Sequence, residues 1–197
     1  MFNGNKGVII MPLFLMAFIF FGGYYFLNQN EGITNEMLYE YVDLNGKLVK
    51  MGNSYKLSGE WKWSEMPVDG FIGDDFLGIS VKEKGTGNSL SVASWEQAKL
   101  RLLHSQKELY ETEGKLTQDG LIFTFPNEII DNESFGTLGE FEIIFTLKED
   151  VEVQTLVSYL HTWSQHEGLE SSDPRFLQPI FVGKKQVNHW VIEQHFE

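Results

Sequence analysis

The sequence predicts a mainly antiparallel β domain of the sandwich type, preceded by a single apolar helix. Three observations support this prediction. Residues 8–27 form an uncharged apolar stretch, apolar and polar residues alternate along several later segments, and Gly, Asn and Asp recur between those segments. Alternation with a period of two is typical of strands with one buried face, and turn residues at short spacing are typical of sandwiches. One segment with helical spacing leaves an α+β fold as the alternative.

The apolar stretch at residues 8–27 is long enough to cross a membrane as a helix. Twenty helical residues measure about 30 Å, which matches the hydrocarbon core of a bilayer. Pro12 falls in the first turns, where a missing N–H costs least. A cleaved signal peptide is the alternative, but Tyr24 and Tyr25 occupy the place where small residues would precede a cleavage site. A buried core helix would have a polar face, and this segment has none.

The charges that flank this segment predict its orientation. Lys6 precedes it, whereas Glu31 and Glu36 follow it, and positive charge tends to stay in the cytoplasm. We therefore expect a single-pass cell-membrane protein with its N-terminus inside and its large domain outside. The predicted parts are a cytoplasmic N-terminus (1–7), a transmembrane helix (8–27), a tether (28–36) and an extracytoplasmic β-rich domain (37–197).

Composition narrows the partners of this domain. The chain has 28 acidic and 15 basic residues and a formal net charge of -13. Nucleic acids and anionic lipid headgroups are bound mainly through Lys and Arg, so both are disfavoured as partners. The chain has no cysteine, which excludes disulfides, thiolate metal sites and a cysteine nucleophile.

Alternation is clearest from residue 55 to residue 63. Tyr55, Leu57, Gly59, Trp61 and Trp63 lie on one face of the predicted strand, and Lys, Ser and Glu lie on the other. Residues 76–81, 121–125 and 141–147 predict further strands. Asn45-Gly46 predicts a hairpin turn between 41–44 and 47–50, because both central residues of such a turn take positive φ. Other turns are predicted at 52–53, 85–88, 119–120 and 132.

Two segments have patterns that allow a helix. Val153, Leu156, Val157 and Leu160 share one helical stripe, with Asp150 as a candidate N-cap and Gly168 just beyond the end, and this predicts a helix at about 151–166. Residues 98–110 fit a helix by composition and a strand by the alternation of Ala98, Leu100 and Leu102. We favour the strand there, because the rest of the domain is strand.

Candidate metal sites are weak. Asp69, Asp74 and Asp75 surround two glycines, a composition that calcium prefers, but the spacing is not that of an EF-hand, and a connecting loop is the favoured interpretation. His189, Glu193 and His195 share one side of the last predicted strand, where only Glu193 and His195 are neighbours. His161 and His166 are five residues apart on the predicted helix and cannot share a ligand there.

Trp61 and Trp63 could form a flat platform for sugar rings, but their strand face is better explained as core. Asn132-Glu133-Ser134 matches a glycosylation sequon, a triplet that also arises by chance. The chain has no Gly-X-Ser-X-Gly, Walker loop or His-Glu-X-X-His motif. No catalytic, ligand-binding or metal-ligating residue is assigned, and no cofactor is expected.

The sequence favours a non-catalytic, membrane-anchored extracytoplasmic domain that binds a cell-envelope component or a membrane-protein partner. One alternative is a cell-envelope carbohydrate hydrolase that uses paired carboxylates, since 28 acidic residues offer many pairs. The other alternative is a structural or assembly subunit of a membrane complex, whose exposed apolar patch meets its partner.

Overall fold

The computed structural model describes residues 6–29, 32–148 and 151–197, and within the N-terminal helix it describes the side chains of residues 10–25. The chain divides into two compact units, Met1–Ile33 and Thr34–Glu197.

The first unit contains one helix, α1 (Lys6–Gln29), with Pro12 near its start. The predicted helical conformation of this segment is therefore confirmed. Over the parts of the chain that the structure describes, no helix combines the length and the apolarity that crossing a membrane requires.

The second unit is built from antiparallel strands. In chain order they are β1 (Val42–Met51), β2 (Ser54–Trp63), β3 (Asp74–Glu83), β4 (Val92–His104), β5 (Lys107–Glu113), β6 (Lys115–Thr117), β7 (Gly120–Pro126), β8 (Ile129–Ile130), β9 (Glu133–Ser134), β10 (Leu138–Leu147), β11 (Val153–Thr162) and β12 (His189–Phe196). A short 3₁₀ helix, Leu38–Tyr41, precedes β1. One five-stranded sheet has the order β1-β2-β10-β4-β5, and the other has the order β12-β11-β3-β7-β6.

The two five-stranded sheets pack face to face, which confirms the predicted β-sandwich. Trp61 of the first sheet contacts Phe125 and Tyr159 of the second, with ring centroids 4.9 Å and 5.8 Å apart. Alternate residues of β2 and β10 are buried, as the sequence predicts for strands with one wet face. The predicted strands at 76–81, 121–125 and 141–147 are β3, β7 and β10.

A second, smaller core lies on the outer face of the second sheet. Phe76 of β3, Ile122 of β7 and Leu160 of β11 pack there against Phe176, Phe181 and Val187 of the segment that joins β11 to β12. We call residues 163–188 the covering segment. The covering segment buries the outer face of the central strands of this sheet, so these strands are buried on both faces.

The predicted helix at 151–166 is wrong, because residues 153–162 form β11. Val157 lies on the inner face of the sheet and Leu160 lies under the covering segment. Both faces are therefore apolar, and a strand that is buried on both sides loses its alternation and imitates a helical stripe. The candidate N-cap Asp150 lies outside the described residues.

The predicted turn at Asn45-Gly46 is also wrong. Both residues lie inside β1, where they pair with Glu60 and Gly59 of β2. The hairpin turns instead at Gly52-Asn53, and Gly52 has a φ of 63°. Glycine at position 46 serves close packing, because a Cβ there would lie 3.1 Å from the Phe196 ring.

The predicted strand at 98–110 is confirmed as parts of β4 and β5. The turn between them is formed by Ser105 and Gln106, both at positive φ (48° and 71°). Beyond β5 the chain passes at Gly114 from the first sheet into β6 of the second. A Cβ at Gly114 would lie 2.8 Å from Leu121, so this crossing lies close against the core.

Candidate functional site

Six polar residues meet in the interior at one end of the sandwich, where β3 begins and β7 and β11 end. We call them the polar cluster: Asn35, Asp75, Asn127, Tyr159, His161 and Thr162. None of the six has any exposed surface. Asp75 shares the inner face of β3 with apolar residues, which places its carboxylate inside the core.

Asp75 is the acceptor at the centre of the polar cluster. Its carboxylate accepts hydrogen bonds from the Tyr159 hydroxyl at 2.6 Å, the Thr162 backbone N–H at 2.9 Å and the Asn127 amide at 3.1 Å. Nδ1 of His161 lies 3.0 Å from Oδ2. A buried carboxylate is tolerated only when it is paired and hydrogen-bonded, and four donors meet that condition.

His161 is positioned so that both ring nitrogens face acceptors. Nε2 lies 2.9 Å from Oδ1 of Asn35, and Nδ1 faces Asp75. The Asn35 amide is oriented by its own donor, which bonds the Gly70 carbonyl; the flipped amide would place two oxygens against each other. Both nitrogens of His161 therefore face oxygen acceptors, and with a proton on each nitrogen His161 forms a buried ion pair with the Asp75 carboxylate.

Three tryptophans surround the His161 ring. Trp190 and Trp163 lie against its faces at centroid distances of 4.8 Å and 5.6 Å, and Trp63 meets it edge-on at 5.1 Å. Indole faces attract a cation, so the contacts with Trp190 and Trp163 favour the protonated form of the ring. Tyr159 is in the neutral form, because burial and then the Asp75 charge raise the pKa of its hydroxyl well above the ordinary value.

A partly exposed extension of the polar cluster involves Asp74 and His166. The Thr162 hydroxyl donates to the Asp74 carbonyl at 2.9 Å and lies 3.0 Å from Nε2 of His166, whose Nδ1 accepts the Gly168 N–H at 3.1 Å. Burial raises the pKa of the Asp74 carboxyl, and the nearby His166 opposes that shift. His166 therefore reaches β11 through Thr162 and lies in the covering segment.

The polar cluster holds the N-terminal part of the domain in place. The Asn35 backbone N–H donates to Asp69 at 3.0 Å, and its carbonyl accepts from Nε1 of Trp190 at 2.8 Å. Asn35, Asp75 and His161 have no exposed surface, so no substrate can reach the ion pair. The arrangement is a structural clamp that joins residue 35 to β3, β11 and β12.

The structure separates the three carboxylates of the candidate calcium loop. Asp75 belongs to the buried polar cluster, Asp69 accepts from the Asn35 backbone, and Asp74 lies beside His166. Among the described residues no group of three or more His, Asp or Glu is placed to hold a metal ion.

The two candidate stacking tryptophans are core residues, as favoured by the sequence. Trp61 and Trp63 are buried, and their indole N–H groups donate to the Gly136 carbonyl at 2.7 Å and the Tyr159 hydroxyl at 3.3 Å. The platform alternative is therefore wrong.

The histidines of the last strand do not form a site with Glu193. Nδ1 of His189 lies 2.8 Å from the Val187 carbonyl, whereas Glu193 accepts from Ser158 and Arg175 at 3.4 Å each. His195 is exposed.

Sequence reasoning missed the pairing of Asp75 with His161. The available signal was parity, meaning that residues two apart in a strand lie on the same face. Asp75 therefore lies on the same face of β3 as Leu77, Ile79 and Val81, and a strand that buries those residues also buries its carboxylate. A buried carboxylate requires a partner, and that requirement could have led to a search for a buried cation.

The same end of the sandwich carries two loops with exposed apolar side chains. We call residues 64–73 and 127–137 the apolar loops. Val68, Ile129, Ile72, Met66 and Ile130 are 68%, 59%, 50%, 44% and 42% exposed. The loops are joined by a hydrogen bond from the Asn127 N–H to the Gly73 carbonyl at 2.9 Å.

The fold and the buried clamp define a β-sandwich domain. No protein-family model matches the chain, and no curated protein matches it in sequence. Similar solved structures include ACE19, the collagen-binding subdomain of the Enterococcus faecalis surface protein ACE (TM-score 0.37, 7% identity, 80% of this chain and 96% of that chain). Another is AvmM, which catalyses macrocyclization in alchivemycin A biosynthesis (TM-score 0.35, 9% identity, 78% of this chain and 88% of that chain).

Proposed function

We propose that residues 34–197 form a binding domain and that the apolar loops are its contact surface for a membrane-protein partner or a cell-envelope component. The observation that carries this proposal is the exposure of Val68, Ile72 and Ile129 on two neighbouring loops. Each Å² of apolar surface left in water costs about 25 cal/mol, which a partner recovers by covering it. Exposed apolar patches of this kind are typical of interaction sites.

The apolar loops are also held in place before binding. The first loop is fixed to Asn35 through Asp69 and Gly70. The second is fixed by the Asn127 side chain, which donates to Asp75 and to the Thr162 carbonyl at 3.0 Å. A surface that is already ordered loses less conformational entropy on association, and affinity rises accordingly. The polar cluster thus contributes to binding indirectly, as the support of the loops.

We further propose that α1 attaches this domain to a membrane, with the domain on the outer side. Support comes from the uncharged sequence of residues 8–27 and from the exposure of every described side chain of the helix, 10–25. The test is extraction of cell membranes with alkaline carbonate. The full-length chain is expected in the pellet, and recovery of a soluble form that lacks about the first 30 residues would show cleavage instead.

The hydrolase alternative requires two carboxylates that face a substrate across a cleft. Of the described residues, Asp75 is the one carboxylate that is buried, and its oxygens are occupied by four donors. No observation favours catalysis over binding. An assembly subunit would use the same exposed loops, so it is a variant of the binding proposal and not a separate site.

The proposal is tested by photo-crosslinking in native membranes with the full chain. A benzophenone amino acid is placed at Val68 and, as a matched control, at Val182 of the covering segment, which is 41% exposed. We expect a discrete adduct from position 68 that disappears when Ile129→Asp is added, and none from position 182. Identical adduct patterns at the two positions would contradict the assignment of the contact surface.

A further inference from the structure

The apolar loops combine exposed apolar residues with a one-sided charge. Residues 64–73 and 127–137 contain five carboxylates, Glu65, Asp69, Glu128, Asp131 and Glu133, and no Lys or Arg. Glu133 is paired with Lys107 at 2.8 Å, and Asp69 is engaged by the Asn35 backbone. Glu65, Glu128 and Asp131 form no ion pair with any Lys or Arg that the structure describes.

These three unpaired carboxylates flank the exposed apolar side chains in the sequence. Glu65 precedes Met66, and Glu128 and Asp131 enclose Ile129 and Ile130. Interfaces commonly have an apolar centre and a polar rim, and the rims of partners carry complementary charge. The surface therefore has the composition of one half of such an interface, with the negative half of the rim already present.

We infer that the partner is a protein segment whose apolar side chains are flanked by Lys or Arg, which meet the rim formed by Glu65, Glu128 and Asp131. This inference rests on the proposed function and names the chemistry of its partner. A second copy of the chain would bring the same carboxylates into the contact, and like charges across an interface oppose association. An anionic bilayer surface is disfavoured for the same reason, because it attracts basic segments.

The charge of the rim should make association depend on salt concentration, which apolar contact alone would not. Attraction between exposed charges weakens as the ionic strength rises, since the Debye length falls from about 10 Å at 0.1 M salt to about 3 Å at 1 M. Burial of apolar surface does not weaken in this way. Association through both should therefore lose its electrostatic part in high salt and keep its apolar part.

The experiment uses the full chain in native membranes, with the benzophenone amino acid at Ile72 or Ile129. The rim is neutralised by Glu65→Gln, Glu128→Gln and Asp131→Asn together. The matched control neutralises three exposed carboxylates outside the apolar loops, Glu96→Gln, Asp119→Asn and Glu152→Gln. Crosslinked peptides are sequenced by mass spectrometry, and yields are compared at about 0.1 M and about 1 M salt.

We expect adducts with a protein peptide that has Lys or Arg next to its apolar crosslinked residues. At about twofold for each exposed charge pair, rim neutralisation should lower the yield about eightfold, and the control variant should lower it less than twofold. High salt should lower the yield of the natural chain and leave that of the neutralised chain unchanged.

Failure of this inference is distinguishable from failure of the proposed function. A protein adduct that is insensitive to salt and to rim neutralisation overturns the basic partner and leaves the contact surface standing. An adduct with lipid or with a second copy of the chain overturns it as well. No adduct from either position would overturn both proposals.

Discussion

Replacing Asp75 with alanine should remove much of the stability of the domain. The substitution leaves the Tyr159 hydroxyl, the Thr162 N–H and the Asn127 amide without their acceptor and leaves the His161 imidazolium without its counter-ion. Breaking a buried ion pair by removing one partner costs about 3–5 kcal/mol, and each buried donor left unsatisfied costs about 1–3 kcal/mol. Allowing for relaxation, we expect a loss of about 5 kcal/mol.

That loss is a large part of the usual total of about 5–15 kcal/mol. For a domain of this size it corresponds to a fall in melting temperature of about 10–20 °C. The matched control is Asp69→Ala, which removes one partly buried hydrogen bond to the Asn35 N–H and should cost about 1 kcal/mol.

The assay is urea unfolding of the full chain in a nonionic detergent, followed by tryptophan fluorescence. Three of the five tryptophans surround His161, so the signal reports directly on the polar cluster. A double-mutant cycle of Asp75→Asn with His161→Gln should give a coupling of about 2 kcal/mol or more. A loss below about 1 kcal/mol for Asp75→Ala, or additive effects in the cycle, would refute the buried ion pair.

Three further outcomes follow from individual contacts. Gly78→Ala should destabilise the domain strongly, because its Cβ would lie 1.8 Å from the Pro174 carbonyl oxygen of the covering segment. Gly46→Ala should destabilise it less, since a Cβ at Gly46 meets nothing closer than 3.0 Å. Thermal unfolding of both variants tests this order. The raised pKa of Tyr159 contributes stability that is fully present below about pH 10 and is lost as the pH rises further, so Tyr159→Phe should lose less stability than the natural chain between about pH 9 and pH 11. Burial raises the pKa of the Asp74 carboxyl and so disfavours its charged form in the folded state. The substitution Asp74→Asn should therefore increase the free energy of unfolding more at pH 7 than at about pH 3, as measured by urea titrations. Equal changes at the two pH values would contradict that cause.

The sandwich could be predicted from the sequence because most of its strands have one buried face. In β2 and β10 alternation of apolar and polar residues is a direct record of the two environments of the strand. The hairpin turn between β4 and β5 was not predicted, because Ser105 and Gln106 lack the Asn-Gly or Asp-Gly pair that marks a two-residue hairpin turn.

The errors arose where tertiary contacts override local pattern. β11 lies between the core and the covering segment, so its apolar residues on two faces imitate a helix. Asn45-Gly46 has turn composition but is held in a strand by pairing with β2 and by the approach of Phe196. Apolar residues in the covering segment follow neither a strand nor a helix period, so its local sequence does not predict that Phe176 and Phe181 cover a sheet.

The polar cluster could not be predicted from the sequence, because it too depends on tertiary contacts. Asn35, Asp75, Asn127 and His161 are far apart in the chain and form no motif, and only the fold brings them together. Parity alone could show that Asp75 is buried. It could not show which cation pairs with it, because that depends on the order of strands in the second sheet.

The contact between Asn35 and Trp190 constrains how the protein can be made. The two residues are 155 positions apart, and contacts of such long sequence separation form late and slowly. During synthesis at about 5–20 residues per second, the ribosome needs roughly 8–30 seconds to travel between them. Throughout that interval the Asn35 carbonyl lacks the Trp190 indole that donates to it in the folded domain, so this contact can form only after β12 has emerged.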